Sequence, residues 1–236
     1  QIALKKTGPP SLLTVINPLP ATGAAPRESP DSARNTIPAT TRTLDRIVSL
    51  QDFEDFSQAF AGVGKAQAIA LWNGETELVH ITIAAAAGKT VDPDSDLYRS
   101  LVKAINQARD PVQQVQVDSF EPLFFKLEAR FAVLPGYQVD KVEPAIRGRL
   151  LKEFAFERRK FGQAVTASEV IATIQSVEGV QAVDLDALHR RDASRTLQQT
   201  LSATRAHWND QKQQVQAAQL LMLVSSDMML TSVPAL

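Results

Sequence analysis

The stretch "SLQDFEDFSQAFAGVGKAQAIAL", Ser49 to Leu71, decides how the fold is read. Ser49 is followed at the third position by Asp52, the pattern of a capping box with Asp replacing the usual Glu, and Phe53, Phe56 and Phe60 then fall on one helical face. Gly62 ends the predicted helix, and Ala66 to Trp72 predicts a strand. The same phrase returns 117 residues later. Thr166 and Glu169 form a second capping-box pattern, Val170, Thr173 and Val177 stand where Phe53, Phe56 and Phe60 stood, and Gly179-Val180 matches Gly62-Val63. A register that never slips over the whole phrase predicts duplicated modules.

Outward from the first copy, Asn73-Gly74 is the strongest short hairpin signal, and Glu75 to Ala84 reads as the returning strand, with Val79, Ile81 and Ile83 alternating. A helix is expected from about Asp96 to Arg109, with Leu97, Leu101, Ile105 and Ala108 inward and Pro111 closing it. In "LFFKLEARFAVL" Leu123, Phe125, Leu127, Ala129, Phe131 and Val133 alternate with Phe124, Lys126, Glu128 and Arg130, which predicts a long strand with one wet side. Asp140 reads as the cap of a further helix with Pro144 in its first turn, Val142, Ile146, Leu150 and Phe154 on one face, and Gly162 as its stop. After the second copy's strand, Val180 to Leu188, comes "HRRDASR", then a Gln-rich stretch from Ala193 to Ala218 with helical tendency, and "QLLMLVS" as a last strand.

Residues 1–40 hold more than half of the thirteen prolines and one short apolar run, Leu12 to Ile16. Proline removes amide donors and pushes its predecessor out of the helical region, so this segment is expected to be an extended arm lying across a surface, its own or a partner's. The expected class is therefore α+β: an extended Pro-rich arm (1–44), two small ferredoxin-like modules (45–135 and 136–190), and a helical tail ending in a short strand (191–236).

Composition bounds the function. Lys+Arg 25 against Asp+Glu 26 leaves a formal charge of -1, so no strong net field draws the chain to nucleic acid. The absence of cysteine excludes disulfides, thiolate nucleophiles and Cys-type zinc sites, and suits an intracellular protein. No apolar run approaches the roughly 20 residues of a membrane helix, so no direct membrane insertion is expected. Ten of the aromatics are Phe, which suits packed cores better than stacking platforms for bases or sugars. A first residue of Gln1 rather than Met predicts a piece of a longer chain.

The candidate chemistry reads as structural. Asp92, Asp94 and Asp96 alternate as at the start of an EF-hand loop, but the sixth position, which needs Gly, is Leu97, and the twelfth, which needs Glu, is Lys103. Gly62-Val63-Gly64 is too short for a dinucleotide fingerprint and follows a helix rather than a strand. His80, His189 and His207 are far apart, without metal-ligand spacing. No catalytic residue, metal or cofactor is expected. The alternative is an α+β enzyme or ligand-binding protein using His80 or the Asp92 to Asp96 acids in a cleft between modules. "RGRLLKEFAFERRK" carries Arg147, Arg149, Arg158, Arg159 and Lys160 on the outer faces of an amphipathic helix, a solvated face or an anchor for an acidic partner. The expected interface residues are Leu12, Leu13, Val15 and Ile16 in the arm and Arg147, Arg158 and Arg159 on the helix.

The order of these phrases carries a resemblance. From Asn17 to Ala66 the chain runs Asn-Pro-Leu-Pro-Ala-Thr-Gly, then an acidic stretch with Ala33-Arg34 and Pro38, then Arg42-Thr43-Leu44-Asp45-Arg46, then the capped helix and Gly-Val-Gly-Lys-Ala. This resembles the baseplate J-like proteins, wedge components of contractile phage tails and of phage-tail-like contractile injection systems, and the likeness continues more loosely to about Leu188. The sequence departs from the family at Ala24-Ala25-Pro26, where a second glycine and an acid are usual. The resemblance implies the C-terminal part of a non-enzymatic wedge subunit. Its implied partners are further wedge subunits, spike hub, inner tube and sheath, its implied role is to transmit the contraction trigger, and its implied place is the baseplate of a particle assembled in the bacterial cytoplasm.

Overall fold

The computed structural model describes residues 46–234. The capped phrase forms helix α1 (Leu50–Ala59), Gly62 at φ +95° turns the chain, and strand β1 (Val63–Trp72) follows. A four-residue connection, 73–76, leads into β2 (Glu77–Ala85), which starts two residues later than expected because Asn73 Oδ1 accepts the amides of both Glu75 and Thr76, at 2.9 and 2.7 Å. Ser95 caps α2 (Asp96–Ala108), and the chain returns as β3 (Gln114–Ser119), parallel to β2. The order across this sheet is β1-β2-β3, with α1 and α2 packed on one face through Phe53, Leu101, Ile105, Ile81 and Ile83.

One residue, Phe120, separates β3 from β4 (Glu121–Val133), so the backbone from 114 to 133 is extended almost without a break. This long strand is the centre of the second sheet. Its period-2 pattern holds: Phe125, Leu127, Ala129 and Phe131 are buried, and Lys126, Glu128 and Arg130 face water at least in part. After it come α3 (Val139–Glu153), β5 (Val165–Thr166), α4 (Ala167–Gln175) and β6 (Val180–Arg190), the last antiparallel to β4. Val142, Ile146, Leu150 and Phe154 from α3 and its C-cap, with Val170 and Ile174 from α4, cover the apolar face of β4 and β6. Helix α3 begins at Val139 with Gln138 as an N-cap that makes no side-chain bond, so Asp140 lies inside the first turn and Pro144 inside the helix.

Two expectations are corrected. The tail has no α-helix among the described residues. It forms β7 (Thr200–Leu201), a small hairpin of β8 (His207–Asn209) and β9 (Gln214–Gln216), β10 (Gln219–Met222) and β11 (Met228–Val233). Its Gln-rich stretch has no apolar stripe for a helix to bury, while the open edge of β4 offers backbone partners. Both β10 and β11 run parallel to β4 on that edge, at Glu121–Phe124 and Leu127–Ala132. Nor does either unit show the β-α-β-β-α-β order of a ferredoxin-like module among the described residues; the first runs α-β-β-α-β and the second β-α-β-α-β.

The units share a third cluster of buried residues, including Ala84, Phe120, Phe156, Phe161, Ala218 and Leu220. The Phe120 ring lies 6.3 Å from that of Phe156 and 5.8 Å from that of Phe161. Gly64 lets Phe156 come this close to β1, since a Cβ there would sit 2.9 Å from the Ala85 carbonyl oxygen and 3.1 Å from the Phe156 ring. The tail therefore covers the second face of β2, which is why His80, Thr82 and Ala84 are buried along with the Val79, Ile81 and Ile83 side.

Candidate functional site

Among the described residues no group of three or more His, Asp or Glu side chains comes together as a metal site. The acids of "DPDSD" build a turn: Asp92 Oδ1 accepts the amide of Asp94 at 2.8 Å, the Ser95 hydroxyl donates to the Asp92 carbonyl, and Asp96 pairs with Arg99 on the surface. His189 and His207 each turn Nδ1 to a nearby carbonyl, of Arg190 at 2.8 Å and of Arg205 at 3.1 Å.

The arrangement nearest to catalytic chemistry is Thr82, His80 and Asp118. His80 Nε2 lies 2.9 Å from Asp118 Oδ2, and Nδ1 lies 3.4 Å from Thr82 Oγ1. Because Thr82 Oγ1 accepts the amide of Ala218 at 3.1 Å, its proton points to Nδ1 and the histidine donates from Nε2 to the carboxylate. Thr82 and His80 are buried, so no substrate carbonyl can reach the hydroxyl. The chain of bonds ties the first sheet to the tail; it is a fastening, without the access a nucleophile needs.

The predicted cationic anchors separate into three environments. Arg147 bonds Glu143 one turn back at 3.0 Å and reaches the carbonyls of Ser225 and Met228, each at 3.4 Å, clasping α3 to the tail. Arg158 is half exposed beside Glu153 at 3.3 Å. Arg159 is corrected: α3 ends at Glu153, and Arg159 lies beyond it, only 2% exposed. Its guanidinium donates to Glu169 Oε1 at 2.6 Å and to the carbonyls of Gln163 and Ala164, over the face of Phe154. An arginine so enclosed organises the interior of the second unit and presents nothing to a partner. The arm residues Leu12, Leu13, Val15 and Ile16 lie outside the described residues.

Burial shifts three groups near the first sheet. It raises the Glu54 carboxyl and the Tyr98 phenol and lowers the Lys65 ammonium from their ordinary values. Sequence reasoning also missed the exposed apolar positions. Trp72 at the hairpin tip is 61% exposed, and Val48 and Val112, 74% and 89% exposed, flank a cavity of about 750 Å³ lined by residues 46–48 and 107–113. Single apolar residues in turns give no periodic signal to find.

Residues 45–118 match a family model described as the baseplate J-like central domain. This stretch is similar to the baseplate J-like central domain. It covers α1, β1, β2, α2 and nearly all of β3, so the matched region ends at the junction with the second sheet. The resemblance read from Asn17 to Ala66 overlaps it from residue 45 onward. Among solved structures, the chain is similar to one in a cryo-EM structure of the anti-feeding prophage (AFP) baseplate, 6-fold symmetrised, with a TM-score of 0.53 and 11% identity. The similarity covers 84% of this chain and 42% of that one, and at this identity it bears on the fold alone. A comparison with curated proteins gives no match. No helix among the described residues is long and apolar enough to cross a membrane.

Proposed function

We propose that the chain is a structural wedge component of the baseplate of a contractile phage tail or tail-like injection particle, assembled in the bacterial cytoplasm. The match of residues 45–118 to the baseplate J-like central domain carries this reading. On it, the chain joins other wedge subunits, spike hub, inner tube and sheath, and passes the contraction trigger between them. The interior is consistent with a scaffold: its polar network from Asp118 through His80 and Thr82 to Ala218 fixes one unit against the tail and is closed to substrate. The exposed Arg158 and half-buried Arg147 remain proposed anchors for acidic partners, as do Leu12, Leu13, Val15 and Ile16 in the arm for apolar ones.

Fractionation of a native lysate that expresses the tagged full chain tests the reading. The chain is expected in a large particle together with spike and sheath proteins; a chain that migrates alone while those proteins assemble without it overturns the proposal. Arg158→Ala is expected to weaken incorporation most at low salt, with the difference from wild type shrinking as salt is raised, if Arg158 faces an acidic surface.

A further inference from the structure

The two strands that the tail lays along β4 are held unequally. In β10, Leu220, Leu221 and Met222 are buried, and the strand is tied on both sides. It pairs with Glu121–Phe124, while the Gly162 amide donates to the Gln219 carbonyl at 2.8 Å and the Gln219 amide donates to the Thr204 carbonyl at 2.9 Å. In β11, Met228 is buried and Leu230 half-buried, but Met229, Thr231 and Ser232 are exposed. Among the described residues β11 pairs with β4 alone, along Leu127–Ala132.

The step between the two strands is folded up. Residues 223–227 stand opposite only Phe125 and Lys126 of β4, so the surplus chain forms a turn at Ser225–Asp227. Arg191 fixes this turn: its guanidinium donates through Nε and Nη2 to Oδ2 of the buried Asp227, with Nε at 2.8 Å. Arg191 is itself seated on β4, its amide on the Phe124 carbonyl at 2.8 Å and its guanidinium 4.5 Å from the centre of the Phe124 ring. The longer bonds of Arg147 to the Ser225 and Met228 carbonyls, each at 3.4 Å, add to the hold. The Arg191 side chain is 42% exposed, so water competes for it.

We infer that β11 is a releasable strap with Arg191 and Asp227 as its latch: it leaves β4 as a unit while β10 and the remaining fold stay closed. The inference goes beyond the baseplate reading and does not depend on it. Local opening is drawn from elements with few buried apolar contacts. Opening β11 takes Met228 and Leu230 out of the core, whereas opening β10 would expose three buried side chains and break bonds on both of its sides. Release uncovers the backbone of β4 from Leu127 to Ala132, a row of amides and carbonyls that the closed strap keeps paired.

Amide hydrogen exchange of the full chain tests this, read on segments 228–233 and 219–222 with 180–190 as the control for the fold. In wild type, segment 228–233 is expected to exchange about tenfold or more faster than 219–222, and Asp227→Ala to speed 228–233 by about a further tenfold while the other two segments are unchanged. A second variant, Arg130→Cys with Thr231→Cys, places thiols on paired, exposed positions of β4 and β11 in a chain without other cysteines, and neighbouring strands about 4.8 Å apart lie within disulfide reach. Its oxidised form is expected to slow 228–233 to the pace of 219–222, and reduction to restore the difference. Exchange of 228–233 no faster than that of 219–222 in wild type overturns the inference. So does an Asp227→Ala variant that changes nothing or speeds all three segments alike.

Discussion

The two helix–glycine–strand phrases share their local chemistry and differ in what the rest of the chain does with it. In α1, Ser49 Oγ accepts the Asp52 amide at 3.2 Å, and Asp52 returns the bond by accepting the Ser49 amide at 2.9 Å, a closed capping box. In α4, Thr166 Oγ1 accepts the Glu169 amide at 3.1 Å, but the Glu169 carboxylate turns away to buried Arg159, and Thr166 pairs with Thr200 instead. Gly62 and Gly179 both adopt positive φ, +95° and +91°, before their strands. Strand β1 then pairs with the strand after it, and β6 with β4, some fifty residues before it. The cap and the turn are decided within ten residues; the role of the acid and the strand's partner are decided by distant parts of the chain.

The largest expected difference between the copies lies in that acid. Arg159→Met takes the buried guanidinium from the partly exposed Glu169 carboxylate and from two carbonyls, with an expected loss of about 3 kcal/mol, whereas Asp52→Asn at the exposed cap costs about 1 kcal/mol or less. Urea unfolding of both variants measures this, and comparable losses would erase the distinction. The glycines come next. Both positions have an unfavourable φ for Ala, but a Cβ at 179 meets the Tyr137 ring at 2.5 Å, while one at 62 meets a Leu97 side-chain methyl at 3.0 Å. Gly179→Ala is expected to lose about 3 kcal/mol and Gly62→Ala about 1–2 kcal/mol in the same experiment, and the reverse order would contradict the packing.

Smaller again are the caps. Ser49→Ala and Thr166→Ala are each expected to cost about 1 kcal/mol, read as a drop in melting temperature. The last test is of pH. Amide bonds from Ser49, opposed by slight desolvation, hold the Asp52 carboxyl below its ordinary value. A carboxyl lowered in the folded state adds stability that is present above its unfolded pKa of about 4 and fades as pH falls through the folded value. Wild type and Asp52→Asn should therefore converge in stability below about pH 4; a constant gap down to strongly acid pH would show that the carboxylate's charge plays no part.

How much was legible follows the same division. The faces of α2 and α3, the alternation of β4 and both positive-φ glycines could be read because each signal repeats within a few residues. In the tail the strand in "QLLMLVS" could be read and is β10, but the Gln-rich stretch before it could not, nor could the pairing of β10 with the free edge of β4, about a hundred residues earlier. The buried Arg159 was hidden for a related reason: a cluster of Arg and Lys looks solvated until a carboxylate ten residues away encloses one member. The family match at 45–118 lies where local signals were clearest.

The nearly unbroken extended run from 114 to 133 has a mechanical corollary. A pull directed along it loads its hydrogen bonds to β2, β6, β10 and β11 sideways and in concert, so they must slide together instead of unzipping one after another. Tension entering one sheet reaches the other through a taut backbone with Phe120 as its single joint, and the two halves yield as one body.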